Sequence, residues 1–360
     1  MSWWVSLWNH REQPTVLALL RIGVGLVLLV DFGRAAWLGV VPQLWAPDEL
    51  GGLGSKVTAR EPPLLIYELL PHSVDSAWLA YGVLVTALVC FTLGLGTRVA
   101  GLVALLTYAA LAKVLPLGDR GIDLMMRNVL LVLSLSRSHA AWSLDARIRT
   151  GSWFGDGQTV PAWPRHLLIL QLVVMYFLAG VQKTALSWTP LGGYSALYLV
   201  LQDPHIARFD MSWLSGWAYP LSQVATATTH LFEWTAPLTL LAYHYRDTAH
   251  RPGRLRAWSQ RWRPHWWWIG VGALLHLGIW MTMDIGIFPW AMLLLYPAWF
   301  HPDELQAAWR KLSGLHAAPA PGLPEAQPGL FERDAQSFSD GVLDREGLER
   351  PDSRAVIEPR

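Results

Sequence analysis

Residues 15–37 read TVLALLRIGVGLVLLVDFGRAAW. At about 1.5 Å of rise per residue such a stretch reaches roughly 35 Å as a helix, enough to cross a hydrocarbon layer roughly 30 Å thick. Its only ionisable side chains are Arg21, Asp31 and Arg34. It does not read as a cleaved leader, because Trp3, Trp4, Arg11 and Glu12 precede it and no small-residue cleavage site follows. Working outward, further apolar stretches lie at about 76–95, 98–117, 121–138, 164–184, 217–243 and 265–283, with a shorter one at 285–300 interrupted by Pro289. The sequence therefore predicts an all-α fold, a polytopic integral membrane helical bundle of about eight spans.

Composition agrees. Of 360 residues, 52% are hydrophobic, only 15% are charged and 22 are Trp, and the mean hydropathy of +0.27 is that of a chain dissolved in lipid. A net charge of +1 gives no footprint for nucleic acid. The single cysteine, Cys90, excludes an internal disulfide framework and a Cys-rich metal site. No dinucleotide, Walker or zinc-protease motif is present, and the glycines of Gly23–Gly25 and Gly94–Gly96 read as helix-packing positions.

Charge divides the chain. Residues 301–360 hold 7 Lys/Arg and 11 Asp/Glu, while residues 1–300 hold 21 and 16. The predicted organisation is a cytoplasmic N-terminus at 1–14, a transmembrane domain at 15–303, and a polar tail at 304–360 too poor in apolar residues to fold alone. Orientation follows from basic residues. With the N-terminus inside, the inner segments carry Arg11, Arg98, Arg137, Arg147, Arg149, Arg165, Arg246, Arg251, Arg254, Arg256, Arg261 and Arg263. The outer ones carry Lys56, Arg60, Arg120 and Arg208. Both termini are thus expected in the cytoplasm of a multi-pass protein, with Trp266, Trp267 and Trp268 at the inner interface. The outer loops, 40–75 and 188–216, hold short amphipathic stretches and are long enough to roof a site.

Ionisable residues at membrane depth are costly, so each needs a partner or a task. Three pairs stand at helical neighbour spacing: Asp31–Arg34, Asp123–Arg127 and His230–Glu233. Lys183, His276 and Asp284 join them, and the orientation above gathers nearly all of these in the outer half of the bundle. Each has a bland reading as well: self-neutralising pairs that join helices, a hydrogen-bonded core histidine, a lysine snorkelling to headgroups. The segment QLVVMYFLAGVQKTALSW, residues 171–188, favours a task for Lys183. Tyr176, Ala179, Gly180 and Lys183 share a helical face, and the small pair lets another helix come close beside the amine. A lysine confined among apolar groups loses its charge more easily, as general-base work requires.

These residues resemble a known family. Tyr176-Phe177-x-Ala179-Gly180-Val181-x-Lys183, then Trp188 and Gly193-Tyr194-Ser195, is similar to the vitamin K-dependent γ-glutamyl carboxylase-like family. Its bacterial members are the horizontally transferred transmembrane (HTTM) domain proteins. Trp142-Ser143-Leu144-Asp145, His276 with Ile285-Gly286-x-Phe288, Arg21 with Gly25, and Glu233 fit the same pattern, over residues 14–303. The resemblance implies a bacterial inner-membrane enzyme and oxygen-dependent chemistry on reduced vitamin K or another quinol. Lys183 matches the catalytic lysine and His276 the histidine of the seventh span. Glu233 joins them, with Asp123, Arg127, His230, Tyr176 and Trp188 as substrate-binding candidates.

The departures shape the expected reaction. The carboxylase branch has a histidine where this chain has Gly121-Ile122-Asp123-Leu124, and a doubled lysine where it has Gln182-Lys183. The branch's large β-rich extramembrane domain is not expected here. A redox step on a quinol or other lipid-soluble molecule fits better than carboxylation of a protein glutamate. The expected partners are the bilayer and a small lipophilic substrate, with a peptide or protein substrate open; no metal is expected. Two other readings stand beside this one: a non-enzymatic lipid or quinone binder or transporter, and a metal-dependent membrane enzyme using His230, Glu233, His276 and Asp284.

Overall fold

The computed structural model describes residues 10–53, 65–249 and 251–305. The expected tail from residue 306 on, the N-terminal segment up to residue 9, and residues 54–64 of the first outer loop lie outside the described residues. The longer helices are α1 (Thr15–Trp37), α2 (Val74–Leu93), α3 (Thr97–Val114), α4 (Gly121–Leu135), α5 (Leu144–Thr150), α6 (Trp163–Gln182), α7 (Ala196–Leu201), α8 (Tyr219–Trp234), α9 (Ala236–Asp247), α10 (Arg254–Trp262), α11 (Pro264–Thr282) and α12 (Phe288–Leu295). One two-residue ribbon, β1 (Arg11–Glu12) against β2 (Val160–Pro161), ties the chain before α1 to the chain before α6. The protein is a helical membrane protein, and α1, α2, α3 and α6 are each long and apolar enough to cross a bilayer.

The remaining predicted spans differ from expectation for local reasons. The fourth stops at Leu135, because the hydroxyls of Ser136 and Ser138 both donate to the Leu133 carbonyl (2.8 and 2.9 Å) and draw the backbone out of the helix. The sixth is broken into α8 and α9 at Thr235, since Pro237 has no amide to give the Glu233 carbonyl. The seventh appears as α11, close to its expected bounds. The eighth is an eight-residue helix followed by the 3₁₀ turn Tyr296–Trp299, too short to cross alone. Of the three consecutive tryptophans, Trp266 and Trp267 are exposed, but Trp268 is core: it stacks on Phe232 (4.2 Å) and donates to that residue's carbonyl (3.1 Å).

Two ends of the bundle can be distinguished. At one, Arg21 is fully buried in α1 and donates to the carbonyls of Ser138 and Trp142. Nearby, Asp145 accepts from the Gly96 and Thr97 amides (2.8 and 3.0 Å) and the Thr97 hydroxyl (2.9 Å), which caps α3. Those bonds hold its carboxyl below the usual range although burial pushes the other way. At this end too, Glu12 and Arg165 form a buried pair at 2.7 Å, with Arg165 also reaching the Ala298 carbonyl. The Arg21-to-Gly25 and Trp142-to-Asp145 motifs thus build scaffold: Gly25 packs on Thr92, Arg21 holds the turn before α5, and Asp145 holds the start of α3. Gly23 and Gly25 are packing positions, as expected; Gly94 and Gly96 instead form the left-handed turn between α2 and α3. Because Glu12 before α1 meets Arg165 at the start of α6, these two helices run parallel and finish at the opposite end, where Lys183 lies.

Candidate functional site

Lys183 closes α6. The helix ends there because its φ and ψ (−77°, 66°) leave the helical region, and two 3₁₀ turns, Leu186–Trp188 and Pro190–Gly192, carry the chain away. Gly180, one turn earlier, lets α8 pack tightly: a Cβ there would stand 3.0 Å from the Glu233 Cβ. That approach delivers the Glu233 carboxylate to the lysine, and both its oxygens accept from Nζ at 2.6 Å. The Lys183 side chain is 21% exposed and that of Glu233 10%, so the pair is mostly withdrawn from solvent.

Aromatic and imidazole groups frame this pair. The Trp188 ring lies over the ammonium, 4.9 Å from its centroid. His230 Nδ1 lies 3.0 Å from the Trp188 carbonyl, and the Trp234 indole N–H donates to His230 Nε2 at 2.8 Å. A carbonyl only accepts and an indole only donates, so these two contacts suit a ring that donates through Nδ1 and accepts at Nε2. Phe177 packs edge-on against Trp234 at 5.8 Å. The predicted His230–Glu233 pair is therefore split by function: Glu233 binds the amine, while His230 clamps two tryptophans around it.

Tyr176 and His276 form a second, deeper layer. Tyr176, His276 and Tyr296 are 4%, 3% and 4% exposed. His276 Nδ1 donates to the Gly272 carbonyl (2.8 Å), leaving Nε2 to accept from the Tyr176 hydroxyl (3.4 Å), and the two tyrosine hydroxyls are 3.0 Å apart. Phe288 stacks on His276 at 5.5 Å. Tyr176 also meets Phe232, the neighbour of Glu233, at 5.0 Å. Seven residues separate Tyr176 from Lys183 on one face of α6, about 10 Å along the axis.

Asp123 and Arg127 belong to a third group, and no hydrogen bond or ion pair among the described residues joins it to Lys183. The expected neighbour pairings are replaced. Arg120, between α3 and α4, binds Asp31 (2.6 Å) and Asp123 (2.8 Å), and Arg127 binds Asp119 through two bonds of 2.8 Å. Asp123 also accepts from the Arg120 amide (2.8 Å) and the Tyr108 hydroxyl (2.6 Å), so it caps α4. Sequence spacing could not show this, because loop residues Asp119 and Arg120 outcompete helical neighbours once α1, α3 and α4 converge. The Asp284–Ile287 turn links this group to His276. Gly286 (φ +67°) would place a Cβ 2.6 Å from Arg120 Nη1, and Phe288 follows on the imidazole. That gives Ile285-Gly286-x-Phe288 its physical meaning.

Arg120, Asp119, Trp234 and Tyr296 were not singled out from sequence; their only signal was chemical type. Asp284 sits 4.0 Å from Arg208. Among the described residues no three His, Cys, Asp or Glu side chains are grouped to hold a metal ion. An apolar groove of about 650 Å³ between α2 and α3 is lined by Trp78, Gly82, Thr86 and Cys90 and by none of the site residues.

Fold and site together define a class: a helical membrane protein with a shielded lysine–carboxylate pair in an aromatic frame where one helix ends and another breaks. The chain belongs to the HTTM domain family, whose model matches residues 9–250. The match includes Lys183 and Glu233 and ends before His276. No solved structure matches the chain.

Proposed function

We propose that the protein is an integral membrane enzyme, carboxylase-like in descent, that acts on a quinol or another lipid-soluble substrate with Lys183 as its base. The carrying observation is the double contact of Glu233 with the Lys183 amine beneath Trp188. Such a pair stores a transferable proton. Passing one proton from the ammonium to the carboxylate yields a neutral amine and a neutral acid without separating charge, and low dielectric favours that exchange. The free amine then takes a proton from an acidic hydroxyl, while Glu233 holds the first.

The residues present fit a quinol: the Lys183 amine could accept a proton from its hydroxyl, and Trp188, Trp234 and Phe177 offer aromatic surface. Reduced vitamin K or another quinol would supply an acidic phenol and reducing equivalents there. His230 keeps the two tryptophans in place, Tyr176 and His276 support the site from below, and Asp123 through Arg120 and Arg127 through Asp119 hold the start of α4. In this reading the Lys183 end faces away from the cytoplasm, the bacterial inner membrane is the host, and both termini lie inside.

The test is mass spectrometry of small molecules co-purifying with the wild type and with Lys183→Ala. A lipophilic molecule bound by both but converted only by the wild type supports the base role. An Ala variant that converts it at the wild-type rate overturns that role.

A further inference from the structure

Helix α10, at the Arg21 end of the bundle, presents three distinct faces. Ser259 is buried, Arg256 donates to the Thr248 hydroxyl (3.0 Å) and Gln260 to the Tyr245 carbonyl (2.6 Å), so this face packs on α9. Leu255, Trp258 and Trp262 are 68%, 54% and 56% exposed. At about 100° per residue they fall within about 60° of one another, an apolar stripe with no protein over it among the described residues. Arg254 and Arg261, both exposed, form the next row, beginning about 40° further round.

Two further features orient this helix. Arg263 adopts a left-handed conformation (φ +43°) between α10 and α11, a corner that turns the chain sharply as it enters the long apolar helix. Immediately after it come the exposed Trp266 and Trp267. The charge is one-sided: residues 246–263 contain six arginines and one acid, Asp247. An amphipathic helix beside a corner into a long apolar helix, with indoles at the joint and arginines flanking an apolar stripe, has the shape of an element lying in a membrane interface.

We propose that α10 is an in-plane membrane helix that binds anionic phospholipid headgroups. Leu255, Trp258 and Trp262 enter the acyl boundary, and Arg254 and Arg261 hold the lipid phosphates. This rests on the α10 geometry and the charge count, not on the chemistry assigned to Lys183.

The test titrates the full-length protein in detergent with phosphatidylglycerol or phosphatidylcholine and counts bound lipids by native mass spectrometry. Phosphatidylglycerol should bind at least about tenfold more tightly, as two contacting arginines at roughly fivefold each allow. The Arg254→Gln/Arg261→Gln double variant should lose roughly twenty-five-fold of that affinity. Trp258→Ser should weaken both lipids, and Lys113→Gln, at the other end of the bundle, should change neither. Equal binding of the two lipids overturns the proposal, as does a loss in the Lys113 variant equal to that in the double variant. Competition by the water-soluble glycerophosphoglycerol headgroup at the lipid's own concentration would make this a free-phosphate site. An unaffected double variant would leave the face to a protein partner. Either result overturns the lipid assignment.

Discussion

Glu233→Gln should destabilise the protein, and Lys183→Met combined with Glu233→Leu should restore much of the loss. The magnitude follows from burial. Breaking a fully buried ion pair by removing one partner costs about 3–5 kcal/mol, whereas fully exposed pairs contribute about 0–1 kcal/mol. Here the carboxylate is 10% exposed and the amine 21%, so the case lies toward the buried limit with some screening. We expect about 2–3 kcal/mol for Glu233→Gln, because Gln can offer only one oxygen where Nζ now has two. Removing both charges leaves two shape-matched apolar groups, which in a low-dielectric setting costs little. The coupling should therefore be about 1.5 kcal/mol or more, well above the few tenths seen between independent sites. The assay is a double-mutant cycle on reconstituted protein, built from Lys183→Met, Glu233→Leu and the double variant with Glu233→Gln measured beside it, and helicity is followed through detergent denaturation. Additive losses, with coupling below about 0.5 kcal/mol, would show that the two side chains do not act as one unit and would remove the proton-storing argument.

Three other expectations concern the frame around this pair. Gly180→Ala should cost about 1–2 kcal/mol in the same denaturation assay, because the new methyl meets the Glu233 Cβ at 3.0 Å and α8 must move. A variant as stable as wild type would mean that α6 and α8 are not packed this closely. Glu12→Gln should be the most damaging single charge change, about 3–5 kcal/mol, since it leaves the Arg165 guanidinium buried and short of its carboxylate; unfolding midpoints close to wild type would refute it. For pH, Asp145 has a folded-state pKa below its unfolded one, so its contribution is present above the unfolded value of about 3.9 and is lost as pH falls through the lower folded value. Asp145→Asn should flatten the acid limb of the stability profile below about pH 4; an unchanged limb would show that the Gly96 and Thr97 amides do not hold a carboxylate.

Much of the site was legible as chemistry but not as partnership. The face Tyr176, Gly180, Lys183 follows from helical spacing, and so does the need for a small residue where another helix approaches. That the approaching residue is Glu233 depends on which helix α6 meets, and no spacing within α6 carries that information. The Asp31–Arg34 and Asp123–Arg127 spacings were valid as local neighbours, yet Arg120 and Asp119 took those partners because loop residues at a junction of three helices can reach all of them. His276 shows the same split: its depth was readable from its place in an apolar run, its tyrosine partners were not.

The sequence by itself determined that this chain is a helical membrane protein, since about twenty apolar residues with few charges have no comparably stable place in water and must form helices to satisfy their backbone in lipid. It also determined its family, through residues clustered near Lys183. Only the tertiary structure decided where helices stop short or break, as at Leu135 and Thr235, and which charges neutralise which. The physical reason is range. Hydropathy and backbone bonding act over a few residues and are written in local order, whereas ion pairs form between whichever groups the packed helices bring within about 3 Å, however far apart in the chain.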